Sequence, residues 1–214
     1  MINSEKIKNH FLENGYAILP GYYDINKTHT DLADHLMKDF AYKIGRRYVS
    51  NQIQSIPEPL RGLIYSQELE QFFNSFYSEH LFCRDIMITN EIHHNKMERN
   101  KWLHFDRWKS LKAMVYLTDV CEHSGPFCVV PKTAKLGGKL RRGSKELRYE
   151  DRPNRIEIDF PNLYTEPSPI LGPKGTLILF DSDIFHSGGN INKGNTRMLI
   201  RSHWYANRDW QVGA

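Results

Sequence analysis

Lys101-Trp102-Leu103-His104-Phe105-Asp106-Arg107-Trp108 is the stretch from which the rest of this 214-residue chain can be read. On an extended backbone, side chains two residues apart leave the same face. The His104 imidazole and the Asp106 carboxylate then point the same way and can share one metal ion. Ten histidines and twelve aspartates give roughly 0.6 such pairs by chance in a chain of this length. The pair therefore needs a third ligand and a scaffold from elsewhere in the sequence.

The scaffold is legible on both sides of it. From about Leu81 to the end, short segments bounded by turn residues follow one another: 82–92, 111–118, 127–130, 176–180 and 196–204. Strands this short and frequent point to a sandwich or barrel. Upstream the texture is helical. Ser4 followed by Ile7, Phe11 and Leu12 predicts a capped amphipathic helix ending at Asn14-Gly15, and Tyr16-Ala17-Ile18-Leu19-Pro20 a short strand. Leu32, Leu36 and Phe40 predict a helix over 27–42, and Leu69, Phe72, Phe73 and Phe76 another over 67–79. Residues 45–66 carry turn formers and no clear period. The expected organisation is a single domain over 1–214, with a mainly helical flank over 1–80 and a β core over 81–214.

Composition narrows the function. Apolar residues make up 40% of the chain, enough for a substantial core, and no apolar run reaches the length of a membrane span. The polar opening of residues 1–6 lacks a signal-peptide pattern, so a cytoplasmic location is expected. Cys83, Cys121 and Cys128 are odd in number and widely spaced, which reads as reduced thiols rather than a disulfide framework or a zinc site. A net charge of +4 is too mild to argue for nucleic acid but suits a small anionic molecule. Residues 135–155 stand apart with a net charge of +5, and Gly137-Gly138 and Gly143 there argue against a long helix. This basic excursion reads as a loop between strands, either plainly solvated or part of a lid that receives an anion.

The third ligand is His186, at the end of an apolar strand that runs from Gly175 through Asp181-Ser182-Asp183 and just before Gly188-Gly189. Two histidines and one carboxylate on three corners of a face leave the opposite positions open. That arrangement suits non-haem Fe(II) binding a co-substrate and oxygen. Eleven residues on, Arg197 offers a guanidinium that can grip a carboxylate through two parallel hydrogen bonds, with Arg201 next in rank on the same strand face. Asp181 and Asp183 read as turn acids bonded to backbone amides.

Taken in order, His104-x-Asp106, Gly125-Pro126 before Val129-Val130-Pro131, His186 and Arg197 resemble the phytanoyl-CoA dioxygenase-like Fe(II)/2-oxoglutarate oxygenases. The opening Phe11-Leu12-Glu13-Asn14-Gly15-Tyr16-Ala17-Ile18-Leu19-Pro20 is similar to the usual start of that family. The resemblance implies a double-stranded β-helix (a jelly-roll, cupin-like core) with helices on one side, a mainly β fold. It implies His104, Asp106 and His186 as iron ligands and Arg197 as the group holding the far carboxylate of 2-oxoglutarate. Lys112 and Met114 would line the 2-oxoglutarate pocket, and Asn90 falls where relatives often place an amide against that cofactor. The implied reaction uses O2 and 2-oxoglutarate, releases succinate and CO2, and hydroxylates a C–H bond of a small or carrier-linked organic substrate, an anionic one included. Related halogenases have a small residue at the Asp106 position, so the carboxylate here favours hydroxylation. After Pro131 the family's usual Gly-Ser-His is replaced by Lys132-Thr133-Ala134, which makes the adjoining loop this chain's own. Two alternatives stay open on the residues alone: a jelly-roll module that binds metal or ligand without turnover, and a cupin-like metalloenzyme that does not use 2-oxoglutarate.

Overall fold

Strands that alternate polar and apolar residues lie beside strands that are apolar throughout, and the difference marks which ones are covered on both faces. The computed structural model of the chain describes residues 2–42, 45–94, 102–143 and 155–206. In chain order the elements are α1 (Glu5–Asn14), β1 (Tyr16–Leu19), α2 (Lys27–Met37), β2 (Ala41–Tyr42), β3 (Gly45–Ser50), a 3-10 turn (Ile53–Ser55), α3 (Glu58–Arg61), α4 (Gln67–Asn74) and β4 (Leu81–Ile92). There follow β5 (Leu111–Tyr116), β6 (Phe127–Val130), α5 (Ala134–Gly143), α6 (Ile156–Asp159), a second 3-10 turn (Pro161–Leu163), β7 (Ser168–Ile170), β8 (Leu177–Asp181), β9 (Phe185–Gly188) and β10 (Thr196–Ala206). The larger sheet has the order β1-β8-β5-β10-β4-β3-β2 and the smaller one β7-β6-β9, with antiparallel neighbours throughout.

Strand parity sorts the side chains into layers. Ile86 and Ile88 on β4, Ala113 and Val115 on β5, Leu177 and Leu179 on β8, and Met198 and Ile200 on β10 face outward. There they meet Phe11 of α1, Met37 of α2, Leu60 of α3 and Phe72 and Phe73 of α4. Edge-to-face contacts such as Phe11–Phe72, centroids 5.4 Å apart, tie that aromatic layer together. The opposite parity, Met114, Tyr116, Ile178, Phe180 and Leu199, faces inward against Phe127, Val129 and Ile170 of the smaller sheet. Tyr116 spans the gap: its hydroxyl donates to the Ile170 carbonyl at 2.9 Å and accepts from the Phe127 amide at 3.0 Å. A third cluster, Phe105, Val130, Ile156 and Phe185 with Leu136 and Leu140, seals the outside of the smaller sheet under α5 and α6. Two antiparallel sheets face to face, with helices outside, make the jelly-roll core.

The front of the chain is less helical than its periodicity suggests. Helix α2 stops at Met37 rather than near Tyr42, and Phe40 is 48% exposed. The Arg47 amide bonds the Phe40 carbonyl at 3.1 Å and the β2–β3 hairpin captures the chain there. Strand β3, in the stretch without a period, joins β4 in the larger sheet, so residues 1–80 contribute three strands as well as helices. Helix α4 ends at Asn74, whose side chain accepts from the Leu81 amide at 2.7 Å and turns the chain into β4. Gly15, at φ 83°, ends α1 as expected, whereas Ser4 sits at its N-cap without a side-chain capping bond.

The basic excursion begins as a helix. Helix α5 keeps Gly137 and Gly138 buried because it lies directly on the β8–β9 turn. A Cβ at Gly137 would fall 1.9 Å from the Asp183 carbonyl oxygen, and one at Gly138 2.7 Å from Asp183 Oδ2. The glycines therefore permit close packing of the helix rather than break it. Residues 144–154, with Lys145, Arg148 and Arg152, lie outside the described residues. Among the described residues no helix is long and apolar enough to cross a membrane.

Candidate metal centre

His104 and His186 are direct cross-strand partners. The His104 amide donates to the His186 carbonyl at 2.9 Å and the His186 amide returns to the His104 carbonyl at 2.7 Å, an isolated bridge that extends the smaller sheet past β9. The Asp106 amide donates to the Ser182 carbonyl at 2.8 Å, which ties the third residue to the turn leading into β9. Leu103 and Phe105 go into the outer cluster, so the alternate residues His104 and Asp106 face inward.

Each imidazole is oriented through its Nδ1. That of His104 lies 2.6 Å from the Trp102 carbonyl and that of His186 2.8 Å from the Ile184 carbonyl. Each Nδ1–H donates to a carbonyl two residues upstream, which leaves the Nε2 lone pair directed into the site. The Nε2 atoms sit 4.0 and 3.6 Å from Asp106 Oδ1, and all three ligand atoms lie within 4.8 Å of one another. Metal–ligand bonds of about 2.1 Å would draw this cluster in by about 1 Å. Two imidazoles and one carboxylate so arranged are the donor types that suit a facial iron site with open positions.

The charges are set for it. Burial pushes the Asp106 carboxyl upward, but Lys112, whose Nζ contacts Oδ2, and the two imidazoles outweigh burial and hold it well below the usual carboxylate range. Burial, then the neighbouring His186, lowers His104 to about 3, so its imidazole is neutral near pH 7. Burial also lowers Lys112, against the pull of Asp106. Asp106 thus gives one oxygen to the cluster and the other to Lys112.

The cluster opens into a cavity of about 100 Å³ between the sheets, which Lys112, Met114, Phe127 and Arg197 also line. Arg197 is 4% exposed; its Nη2 donates to Glu91 Oε2 at 2.7 Å, its Nη1 donates to the Gly125 carbonyl, and its Nε is buried without a hydrogen-bond partner. That orphaned donor lets Arg197 take a carboxylate in the cavity. Asn90 is placed differently from the expectation. Met87, Thr89 and Glu91 of β4 line the cavity, so Asn90 has the opposite parity, shared with Ile86 and Ile88 on the helical side. A one-residue offset decides the face, and Thr89 and Glu91 hold the inward positions.

Several partners of these residues carry no local sequence signal. Glu91 against Arg197, and Asp85 against His203, are cross-strand pairs between β4 and β10 that only the register reveals. Asp181 does bond a backbone amide, that of Asp183 at 2.9 Å, but both acids also belong to an ion cluster. Lys109 contacts Asp181 and lies 3.1 Å from Asp183, and Arg141 of α5 reaches Asp183 at 2.8 Å. In the stretch that departs from the family pattern, Lys132 has φ 66°, the one positive φ outside glycine among the described residues. The glycine-like turn is kept without the glycine, and Thr133 accepts the Phe185 amide at 2.9 Å next to the site.

A family described as phytanoyl-CoA dioxygenase (PhyH) matches residues 21–199. The chain belongs to that family. Membership makes it an Fe(II)/2-oxoglutarate-dependent dioxygenase, with iron and 2-oxoglutarate as its cofactors. No curated protein matches its sequence. Among solved structures it is similar to EctD from S. alaskensis, with a TM-score of 0.68 at 14% identity over 96% of this chain and 78% of that one. HygX from Streptomyces hygroscopicus, with nickel and 2-oxoglutarate bound, gives 0.66 at 13% identity over 95% and 87%. SnoK, a carbocyclase from nogalamycin biosynthesis, gives 0.63 at 14% identity over 94% and 83%. At such identities these likenesses speak for the fold.

Proposed function

We propose that this family member hydroxylates an unactivated C–H bond of a small organic substrate, an anionic one, and releases succinate and CO2. The observation that carries this reading is the complete facial set of His104, Asp106 and His186 opening into the same cavity as Arg197. Iron and 2-oxoglutarate, when bound, supply the activation of O2 and the oxidising power. The chain's own residues do the rest. His104 and His186 present lone pairs that their backbone bonds have already aimed. Asp106, kept ionised beside Lys112, would offset part of the metal charge. Arg197 would hold the far carboxylate of 2-oxoglutarate with its free Nε, and Met114 and Lys112 would bound the pocket that receives it. Met114, Phe127 and Leu199 shield that pocket from water.

The outcome depends on where the substrate sits: a carbocyclase and an epimerase share this fold. The three cysteines, present as free thiols, support a reducing, cytoplasmic setting. The test is succinate release with Fe(II), 2-oxoglutarate and a panel of small acids and neutral analogues, followed by mass analysis of the product. The account expects a product one oxygen atom heavier than its substrate and loss of turnover in Arg197→Ala. A product of unchanged mass, or one lacking two hydrogens, would overturn hydroxylation. Undiminished turnover in Arg197→Ala would remove that residue from 2-oxoglutarate binding.

A further inference from the structure

Past the metal cluster, toward the far end of β10, the inner face of the larger sheet carries further polar groups. Arg201, His203 and Tyr205 continue the face of Arg197 and line an open cleft of about 670 Å³ together with Asp85 and Met87 of β4. Met87, Lys112 and Arg201 line both this cleft and the metal cavity, so the two meet beside Asp106.

Two groups in the cleft lack the partners that their chemistry calls for. Among the described residues Arg201 hydrogen-bonds only the thioether of Met87, with Nη2 to Sδ at 3.3 Å, and its Nε is buried with no hydrogen-bond partner. A thioether is a weak acceptor and no counter-ion. His203 is 6% exposed, and its Nδ1 is bonded to Asp85, which Arg84 holds in turn at 2.6 Å. Asp85 thereby fixes the tautomer, with Nδ1 protonated and Nε2 an acceptor. That Nε2 is buried and has no partner. Buried polar groups left unsatisfied lower stability, so their presence together on one face of a cleft points to a ligand that satisfies both.

We propose that this cleft is the substrate subsite and takes a small carboxylate that also carries a hydroxyl or amino group. Arg201 pairs with the carboxylate, and His203 Nε2 accepts a hydrogen bond from the O–H or N–H. The single uncommitted guanidinium matches a singly charged carboxylate better than a phosphate dianion, since Lys112 is already paired with Asp106. Presentation of a C–H bond to the metal rests on the oxygenase reading; the recognition itself does not.

The test uses the full chain loaded with Ni(II) and 2-oxoglutarate, titrated calorimetrically with 3-hydroxybutyrate, butyrate and 3-hydroxybutyramide, and with serine and serinamide. The acids bearing a hydroxyl or amine should bind at least tenfold more tightly than the amides or butyrate. Arg201→Met should abolish the preference for acid over amide, and His203→Phe the preference for hydroxybutyrate over butyrate. Arg201→Met should also melt at a higher temperature than wild type without ligand, because it removes a half-buried cation that contacts no carboxylate and lies near Arg47, Arg197 and Lys112. It should keep its affinity for 2-oxoglutarate, which Arg197→Met should lose. Equal binding of acids and amides, or a lower melting temperature of Arg201→Met, would overturn the proposal. Failure of 2-oxoglutarate to bind wild type would instead count against the oxygenase reading, and acid binding by metal-free protein would still decide the subsite.

Discussion

Arg197 carries a charge into the interior and meets a buried carboxylate, Glu91, at 2.7 Å. Removing one partner of such a pair strands the other, at a cost of about 3–5 kcal/mol, whereas replacing both is far milder. Arg197→Met should therefore lower the denaturant midpoint sharply, and Glu91→Gln combined with Arg197→Met should recover much of the loss. Urea melts of the single and the double variant check this, and equal losses in the two would contradict it. A second prediction concerns pH. Burial, then His186, lowers His104 to about 3, and burial, then Lys112, lowers His203 to about 4, both from 6.5. Below 6.5 the unfolded chain takes up protons at both sites while the folded metal-free protein does not. Stability is thus complete above 6.5 and falls as the pH drops toward 4, by up to about 1.4 kcal/mol per pH unit for each histidine. Urea midpoints of metal-free protein across that window test the sign. At this scale His104 and His186 are visible in the sequence as candidates, because a metal-ligand motif names its members. Glu91 and Asp85 did not, because each acquires its meaning from a residue more than a hundred positions away, across a register that no local pattern encodes.

Among the elements, α5 shows how packing overrides propensity. Two adjacent glycines lower helix propensity, yet Gly137 and Gly138 lie in the middle of this helix because Asp183 presses against them. Gly137→Ala should push α5 away from the β8–β9 turn and cost about 1–3 kcal/mol. It should also weaken metal binding, since His186 follows that turn. Gly143→Ala, where a Cβ meets nothing within 4 Å, should be neutral or stabilise by about 0.4–1 kcal/mol. Melting curves and metal titrations of both variants check the pair. The strands of the larger sheet were legible where alternation or an unbroken apolar run marked them, as in β5 and β8. Strand β3 was not, because Arg46, Arg47 and Tyr48 are half-buried on both faces and show no period. The apolar spacing overruns helix α2 because Phe40 extends it, while the hairpin that follows settles the helix end.

For the molecule as a whole, the division of faces explains why a chain with modest hydrophobicity holds a polar centre. The outward parity of the larger sheet meets the helices and forms the main core, which frees part of the inward parity for charge. Along β10 that inward face runs from Arg197 past Leu199 and Arg201 to His203, a graded path beginning beside one buried acid and ending beside another. The smaller sheet, extended by the His104–His186 bridge, holds the two imidazoles against it. The most direct measurement of the central claim is an anaerobic titration of the Fe(II)-loaded protein with 2-oxoglutarate, followed by visible absorption. A charge-transfer band should saturate stoichiometrically in wild type, be absent in His186→Ala, and need much more 2-oxoglutarate in Arg197→Met. A folded, iron-loaded wild type that shows no such band would contradict the central claim.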